Sequence, residues 1–300
     1  MARTRTRARG RRGWGRRLLN WIAGLIVGFV VVSLLWVLLY AWVNPPYTFT
    51  MLADRLQGRN VARQWMPIAA IDRDMVRAVI AAEDSKFCSH RGFDEDAIAA
   101  AMKRNARGGN VIRGGSTISQ QTAKNAFLWQ GGGYVRKGLE AWFTLLIENV
   151  WGKRRIMEVY LNLAETGLGT YGANAASERY FGHDASALNR TEAARIAAVL
   201  PLPKKRGAVA PKGFTRRYGN MIAARIPVVA GGGLDGCVYR NAAAPVDRPE
   251  PAAPKVRRNA PPPAQQPLPG EELEQAQGAG APPEQAVPEP APPAETTNGA

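Results

Sequence analysis

The chain is poor in metal-binding and thiol side chains. Its 300 residues contain two histidines and two cysteines: His90, His183, Cys88 and Cys237. So few ligands cannot assemble a His-rich or Cys-rich zinc site. The GxxxxGK[ST], HExxH, GxSxG and SxxK patterns are also absent. The chain therefore lacks the usual signatures of P-loop proteins, zincins, α/β-hydrolases and penicillin-binding transpeptidases. Any chemistry must therefore come from carboxylates and cations.

Positive charge dominates the chain and is unevenly spread. The formal net charge is +16. Residues 1–17 contribute +8 from eight arginines, and residues 241–300 contribute −4, which leaves +12 for residues 18–240. A region this basic predicts an anionic partner, which is a nucleic acid, a membrane surface or a phosphorylated substrate.

A single long apolar run follows the arginines. Residues 18–53 contain no charged side chain, and residues 19–43 are almost continuously apolar. As a helix this run is about 37 Å long, enough to cross a hydrocarbon core of about 30 Å. We predict an uncleaved transmembrane helix at residues 18–43, preceded by a basic cytoplasmic arm at residues 1–17. The alternative for the arm is nucleic-acid binding.

Residues 54–240 alternate amphipathic helical patterns with Gly-rich breaks, which predicts one mainly α domain. The expected helices are roughly 73–84, 94–106, 117–126, 134–151, 153–163, 171–181, 190–200 and 214–226. Asp94 and Thr191 have the side chains and positions of helix starts. Residues 241–300 turn to Pro, Ala, Glu and Gln without periodicity, so we expect a disordered tail.

Glu83 is the first candidate for chemistry. In the helix predicted at 73–84 it prolongs an apolar stripe formed by Val76, Val79 and Ile80. A carboxylate there, at a helix C-terminus, should have a raised pKa that suits a general base. The alternative is a solvated carboxylate at the end of the helix. The adjacent Asp84 is read from the residues alone as a cap or an ion-pair partner.

Two polar segments follow Glu83. Residues 87–94 bring an imidazole, His90, which either orients a ligand or makes a structural hydrogen bond. Residues 114–125 are a glycine pair that opens into a helix rich in Ser, Thr and Gln and reaches Lys124. That arrangement suits an anion or a sugar, and an ordinary N-cap explains it equally well.

Further along, charged residues share helix faces. Arg136, Lys137 and Glu140 cluster within one turn of the predicted helix 134–151. Glu158 and Asn162 lie four residues apart in the next helix. For each set the alternative is a solvated salt-bridge face.

Taken in order, these segments resemble glycosyltransferase family 51, which contains the monofunctional biosynthetic peptidoglycan transglycosylases and the transglycosylase domains of class A penicillin-binding proteins. The matching motifs are Glu83-Asp84-x-x-Phe87-x-x-His90-x-Gly92-Phe93-Asp94, Gly114-Gly115-Ser116-Thr117-Ile118-x-Gln120-Gln121 with Lys124-Asn125, Arg136-Lys137-x-x-Glu140, Lys153-x-x-Ile156-x-Glu158-x-Tyr160-Leu161-Asn162, Tyr171-Gly172 with Ala175-Ala176 and Tyr180-Phe181, and Leu200-Pro201-x-Pro203. They span about 120 residues (83–203) and leave the arm and the tail unexplained.

The resemblance implies a lysozyme-like, two-lobed α-helical domain that polymerises lipid II into β-1,4-linked glycan and releases undecaprenyl pyrophosphate. It implies catalytic roles for Glu83, as general base, and for Glu140, which would position a divalent cation (Mg²⁺ or Mn²⁺) or a cationic side chain. Substrate-binding residues carried over from the motifs are Asp84, Phe87, His90, Ser116, Thr117, Gln121, Lys124, Asn125, Arg136, Lys137 and Glu158.

With the missing SxxK pattern, the resemblance also favours an enzyme without transpeptidase activity. The expected partners are lipid II, the growing glycan strand, membrane lipids and other cell-wall synthesis and division proteins, with no nucleic acid. The expected location is the bacterial inner membrane, with the N-terminus in the cytoplasm and the catalytic domain in the periplasm. In that oxidising compartment Cys88 and Cys237 would form a disulfide if their Cα atoms lie within about 7 Å.

Two other functions remain possible at this point. One is a lysozyme-like hydrolase or lytic transglycosylase that cleaves the same glycan with one protonated glutamate. The glycine-opened polar helix and the Arg136, Lys137 and Glu140 cluster suit a pyrophosphate-bearing donor better than a neutral polymer. The other is an inactive, membrane-anchored scaffold whose Pro-rich tail recruits partners.

Overall fold

The structure is a computed structural model that describes residues 9–106 and 115–239. Residues 1–8 of the predicted basic arm, Gly114 and the predicted tail at 241–300 lie outside the described residues. Within them the helices are α1 (Arg9–Trp42), α2 (Phe49–Leu56), α3 (Arg73–Glu83), α4 (Glu95–Ala106), α5 (Ile118–Phe127), α6 (Gly133–Val150), α7 (Gly152–Leu163), α8 (Ala173–Phe181), α9 (Arg190–Val199), α10 (Gly213–Gly231) and α11 (Gly236–Tyr239).

The described residues also contain one small three-stranded sheet. Its strands are β1 (Ala62–Arg63), β2 (Glu165–Gly167) and β3 (Thr170–Tyr171). β3 lies in the centre, parallel to β1 and antiparallel to β2. Strands of two or three residues are too short to show an alternating pattern, so they could not be predicted from the sequence. The prediction of a mainly α domain is confirmed, and each of the eight expected helices has a counterpart.

Most predicted helix ends lie within two residues of the observed ends, but two of the end predictions are wrong. The start at Thr191 is wrong: Asn189 is the N-cap of α9, and its side chain and that of Glu192 form a reciprocal capping box. α10 continues past the expected end at 226, through Pro227 to Gly231. A proline inside a helix removes one backbone donor, and this helix tolerates that loss near its C-terminus.

α1 contains the predicted membrane span. Within Trp14–Trp42 the most apolar 18-residue stretch has a mean hydropathy of 2.8, so this helix is long and apolar enough to cross a membrane. Most side chains between residues 18 and 32 are exposed, but Ser33, Val37 and Tyr40 are buried against the domain. α6 and its end provide that contact, since Nε1 of Trp142 donates to Oγ of Ser33 (3.1 Å) and Nε1 of Trp151 donates to the carbonyl of Val37 (2.8 Å).

Arg155 of α7 caps the C-terminus of α1. Its guanidinium donates to the backbone carbonyls of Tyr40 (2.9 and 3.2 Å) and Val43 (3.1 Å) and to Oδ1 of Asn44 (2.9 Å). The last carbonyls of a helix have no partner within the helix, so a cation placed there satisfies them and complements the helix dipole. α1 and the domain are thus joined by a specific polar contact as well as by apolar packing.

Six of the remaining helices form two packed groups. α3, α9 and α10 pack on one another, and α5, α6 and α7 pack on one another. The C-terminal end of α3 meets α5, since Gln121 of α5 donates to Glu83 of α3. The functional side chains therefore lie where the two groups of helices meet.

A disulfide joins Cys88, in the loop after α3, to Cys237 in α11, with a Cα–Cα distance of 5.4 Å. Further contacts hold the same C-terminal segment. Nε of Arg77 donates to Asp235 (2.9 Å), and Nη1 of Arg154 donates to the carbonyl of Val238 (2.9 Å). The end of the domain is thereby attached to the loop that follows Glu83.

Candidate active site

Glu83 is the last residue of α3, whose buried face includes Val76, Val79 and Ile80. Its Oε2 accepts a hydrogen bond of 2.9 Å from Nε2 of Gln121. Its Oε1 is buried and has no hydrogen-bond partner in the structure. A buried acceptor without a donor is energetically costly, so this oxygen is suited to bind a hydroxyl group of a ligand.

The surroundings of Glu83 raise the pKa of its carboxyl group above the ordinary value. Burial is the largest cause, because it disfavours the charged form, and the nearby Asp84 adds to it. The hydrogen bond from Gln121 and the positive charges of Arg206 and Lys124 oppose the shift. The result is a carboxylate that is a stronger base than an exposed glutamate and is still stabilised by nearby donors and cations.

The start of α5 positions the side chain that holds Glu83. Thr117 is the N-cap, and it forms a capping box with Gln120. The next residue, Gln121, accepts a hydrogen bond at Oε1 from the hydroxyl of Tyr160 (3.3 Å). Because that oxygen accepts, the amide nitrogen of Gln121 is left to donate to Glu83.

A cluster of three cations surrounds one buried carboxylate. Nη1 of Arg136 donates to Oε2 of Glu140 (2.7 Å), and Lys137 donates to Oε1 of the same group. Lys137 also donates to Oγ of Ser116 (3.2 Å), at the entrance to α5. Lys124 is the third cation, close enough to Glu140 and to Glu83 for both charges to raise its pKa.

The cation cluster carries more positive charge than Glu140 neutralises. Burial is the main reason that the pKa of Lys124 lies below its ordinary value, and repulsion from Arg136 and Lys137 contributes. Nε of Arg136 is a buried donor without a partner in the structure. An anionic ligand would supply both the missing acceptor and the missing negative charge.

A protein-bound metal does not fit this arrangement. Both oxygens of Glu140 are bound by the cationic side chains of Arg136 and Lys137. Across residues 9–106 and 115–239, no group of three or more His, Cys, Asp or Glu side chains is placed to hold a metal ion. Of the two expectations for Glu140, the geometry supports positioning of cationic side chains.

Residues 50–226 match the family model described as transglycosylase. The biosynthetic peptidoglycan transglycosylase of Caulobacter vibrioides is 48% identical over 224 residues, covering 74% of this chain and 97% of the relative. That of Rhodospirillum centenum is 46% identical over 223 residues, covering 74% and 96%. That of Pseudomonas putida strain W619 is 47% identical over 220 residues, covering 71% and 93%. The chain belongs to the transglycosylase family. It is therefore an enzyme of glycosyl transfer.

Three predicted binding residues of this transglycosylase have partners inside the protein. The carboxylate of Asp84 accepts from the backbone N–H of Ile118 (3.0 Å) and lies 2.8 Å from Nε2 of His90. Phe87 is fully buried. In the structure these side chains shape the loop after α3 and attach it to the start of α5, and their contact with substrate stays a prediction.

The other predicted binding residues are divided between the site and its surroundings. Thr117 donates to the carbonyl of Gly92 (2.6 Å) and is buried, while Asn125 is half-buried next to Lys124. Glu158 accepts from the backbone N–H of Ile68 (3.0 Å) and pairs with Arg155 (2.5 Å), which itself caps α1. The transglycosylase thus uses Glu158 at the junction with its apolar helix.

Gly92 allows close packing between the loop after α3 and α6. Its φ is +94°, and a Cβ at this position would lie 2.8 Å from Cγ2 of Thr144 and 3.1 Å from Cγ of Glu148. Glu148 in turn accepts from Oγ of Ser119 (2.5 Å) and from Lys153 (2.7 Å). A side chain at position 92 would therefore displace α6 or the loop.

Three side chains of the site were not predicted from the sequence: Tyr160, Arg206 and Tyr218. Tyr160 contacts Gln121, and the hydroxyl of Tyr218 donates to the carbonyl of Ala82 (3.0 Å), next to Glu83. Tyr160 lies within a family motif, so the resemblance could have indicated it as a site residue. Arg206 stands in a run of basic residues after two prolines, which looks like an ordinary charged loop, so only the tertiary structure reveals it.

Proposed function

We propose that this transglycosylase polymerises lipid II into β-1,4-linked glycan and releases undecaprenyl pyrophosphate. The observation that carries the proposal is the pairing of a buried carboxylate that has one free oxygen, at Glu83, with a neighbouring cluster of excess positive charge. The first suits removal of a proton from a sugar hydroxyl, and the second suits a pyrophosphate leaving group.

In the proposed step, Oε1 of Glu83 takes the proton from the 4-hydroxyl of the acceptor sugar. The deprotonated 4-oxygen of the acceptor forms a bond to the anomeric carbon of the donor, and the bond from this carbon to the pyrophosphate oxygen breaks. The pyrophosphate departs with the electron pair, and the configuration at the anomeric carbon inverts. Inverting glycosidases give the same outcome, because the attacking group and the leaving group lie on opposite faces of the sugar.

The leaving group needs charge neutralisation more than it needs a strong acid. Lys124, Arg136 and Lys137 would contact the pyrophosphate, and Glu140 would hold the last two of these cations in place. A divalent cation that accompanies the pyrophosphate stays a prediction. Polymerisation measured with Mg²⁺, with Mn²⁺ and with a chelator tests it.

We further propose that α1 crosses the inner membrane with the N-terminus in the cytoplasm and the domain in the periplasm. The arginines before the span support this orientation, and so does the Cys88–Cys237 disulfide, which needs an oxidising compartment. Alkaline phosphatase fused to the C-terminus should be active in cells. An inactive fusion at normal expression would reverse the orientation.

The experiment for the activity is incubation of labelled lipid II with the full-length protein in detergent. The expected result is a polymer that lysozyme digests, formed together with undecaprenyl pyrophosphate. Cleavage of finished glycan without polymer formation would favour the hydrolase alternative. Folded protein that does neither would favour the scaffold.

A further inference from the structure

Arg206 is a half-buried cation near Glu83 that the proposed step does not use. Nη1 of Arg206 donates to the carbonyl of Ala198, at the end of α9 (2.9 Å). Its guanidinium carbon lies 5.0 Å from the ring centre of Phe214 and 5.8 Å from that of Tyr218, both on α10. Stacking on two rings and one hydrogen bond fix the direction of this side chain.

The contacts of Tyr218 connect Arg206 to the end of α3. The hydroxyl of Tyr218 donates to the carbonyl of Ala82, the residue before Glu83. The charges of Glu83 and Arg206 act in opposite directions on the pKa of the Tyr218 phenol, so both groups lie near this side chain. Arg206 therefore approaches Glu83 from α9 and α10, and Gln121 approaches it from α5.

Other groups around Glu83 do not replace this cation. Asp84 carries a negative charge, which disfavours ionisation of Glu83. Tyr160 is a buried phenol whose pKa is raised well above its ordinary value, so it stays neutral. Lys124 acts in the same direction as Arg206, but more weakly, and it also interacts with Glu140.

We propose that Arg206 is a positioning residue that keeps Glu83 ionised, and therefore able to accept the proton of the sugar hydroxyl, at the lower end of the working pH range. This inference rests on the proposed function, because it assigns to Arg206 the control of the base used there. A permanently charged guanidinium suits the role, since its charge does not change over that range.

The test compares Arg206→Gln with wild type in lipid II polymerisation by the full-length protein between pH 5 and 9. Without the cation, Glu83 should bind its proton more tightly, so the acid limb of kcat/KM should move to higher pH. We expect a loss of about three- to tenfold near pH 5.5 that falls below about twofold at pH 8. Lys205→Gln removes the same charge from an exposed neighbour and should leave the profile unchanged.

Two further variants keep the test decisive. Arg206→Met retains the apolar stem against Phe214 and Tyr218 and should reproduce the shift if Arg206→Gln does not fold. Arg206→Lys retains the charge and should restore most of the acid limb.

An acid limb that coincides with wild type in both neutral variants would overturn the inference, and so would an equal loss at every pH. Failure of the proposed function is seen separately, as polymerisation that survives Glu83→Gln.

Discussion

Glu83 and Lys124 have pKa values shifted in opposite directions. Burial raises the pKa of Glu83 and lowers that of Lys124. The base must be deprotonated, so polymerisation should fall as pH drops through the raised pKa of Glu83. Lys124 must be positively charged to bind the pyrophosphate, so polymerisation should also fall as pH rises through the lowered pKa of Lys124. Initial rates between pH 5 and 11 should describe a bell.

Lys124→Arg isolates the basic limb of that bell. A guanidinium stays protonated at all of these pH values, so in this variant the decline at high pH should move upward or vanish while the acid limb stays in place. Lys212→Arg, at an exposed position, is the matched control. A basic limb that does not move in Lys124→Arg would contradict the assignment of Lys124.

At the residue scale the sequence predicted positions better than contacts. The apolar stripe ending at Glu83 indicated a carboxylate in an unfavourable place. In the structure this carboxylate is buried, and one of its oxygens has no hydrogen-bond partner. The interpretation of Asp84 as a cap or ion-pair partner agrees with its position as the C-cap of α3 and its contact with His90. Arg206 could not be predicted, because its closeness to Glu83 results from the packing of α9 and α10 on α3.

At the scale of secondary-structure elements, the junction between α1 and α7 depends on one side chain. Arg155→Ala removes the hydrogen bonds to Tyr40, Val43 and Asn44 and leaves their acceptors without a donor. We expect the free energy of unfolding to fall by about 2–4 kcal/mol. Amide hydrogen exchange in residues 40–44 should accelerate before the rest of the domain opens.

Arg217→Ala, at an exposed position of α10, is the control for general loss of an arginine. Unchanged exchange at residues 40–44 in Arg155→Ala would mean that apolar packing and the hydrogen bonds from Trp142 and Trp151 hold α1 to the domain without Arg155. The accompanying loss of the contact between Arg155 and the ring of Trp65 (5.4 Å) is part of the expected effect.

Helices with strong apolar periodicity could be predicted, and short elements could not. α2 has eight residues and begins at Phe49, shortly after α1 ends at Trp42 and within the uncharged run at 18–53, so the sequence did not indicate it as a separate helix. The sheet depends on pairings between residues far apart in sequence, such as Ala62 with Thr170. Local patterns contain no information on such a pairing.

At the scale of the whole molecule, the disulfide closes a loop of 149 positions between Cys88 and Cys237. Removing it with Cys88→Ser and Cys237→Ser together should reduce the free energy of unfolding by about 2–5 kcal/mol, since the unfolded chain regains freedom. Urea unfolding of the double variant and of wild type, with and without reductant, measures this. A midpoint that neither change lowers would contradict a stabilising role.

The length of α1 relates the site to the membrane. The span of 29 residues is about 44 Å long, more than a hydrocarbon core of about 30 Å requires. Its last third packs on the domain through Ser33, Val37 and Tyr40. The domain would therefore be held against the membrane surface, where a substrate with a lipid tail is confined.

The most direct test of the central claim is lipid II polymerisation by Glu83→Gln. The amide has nearly the same shape but cannot take the proton, so we expect polymer formation to fall by about 10²–10⁴-fold while thermal unfolding is unchanged. Glu178→Gln, at an exposed position of α8, should polymerise like wild type. Polymer formation by Glu83→Gln at the wild-type rate would contradict the account.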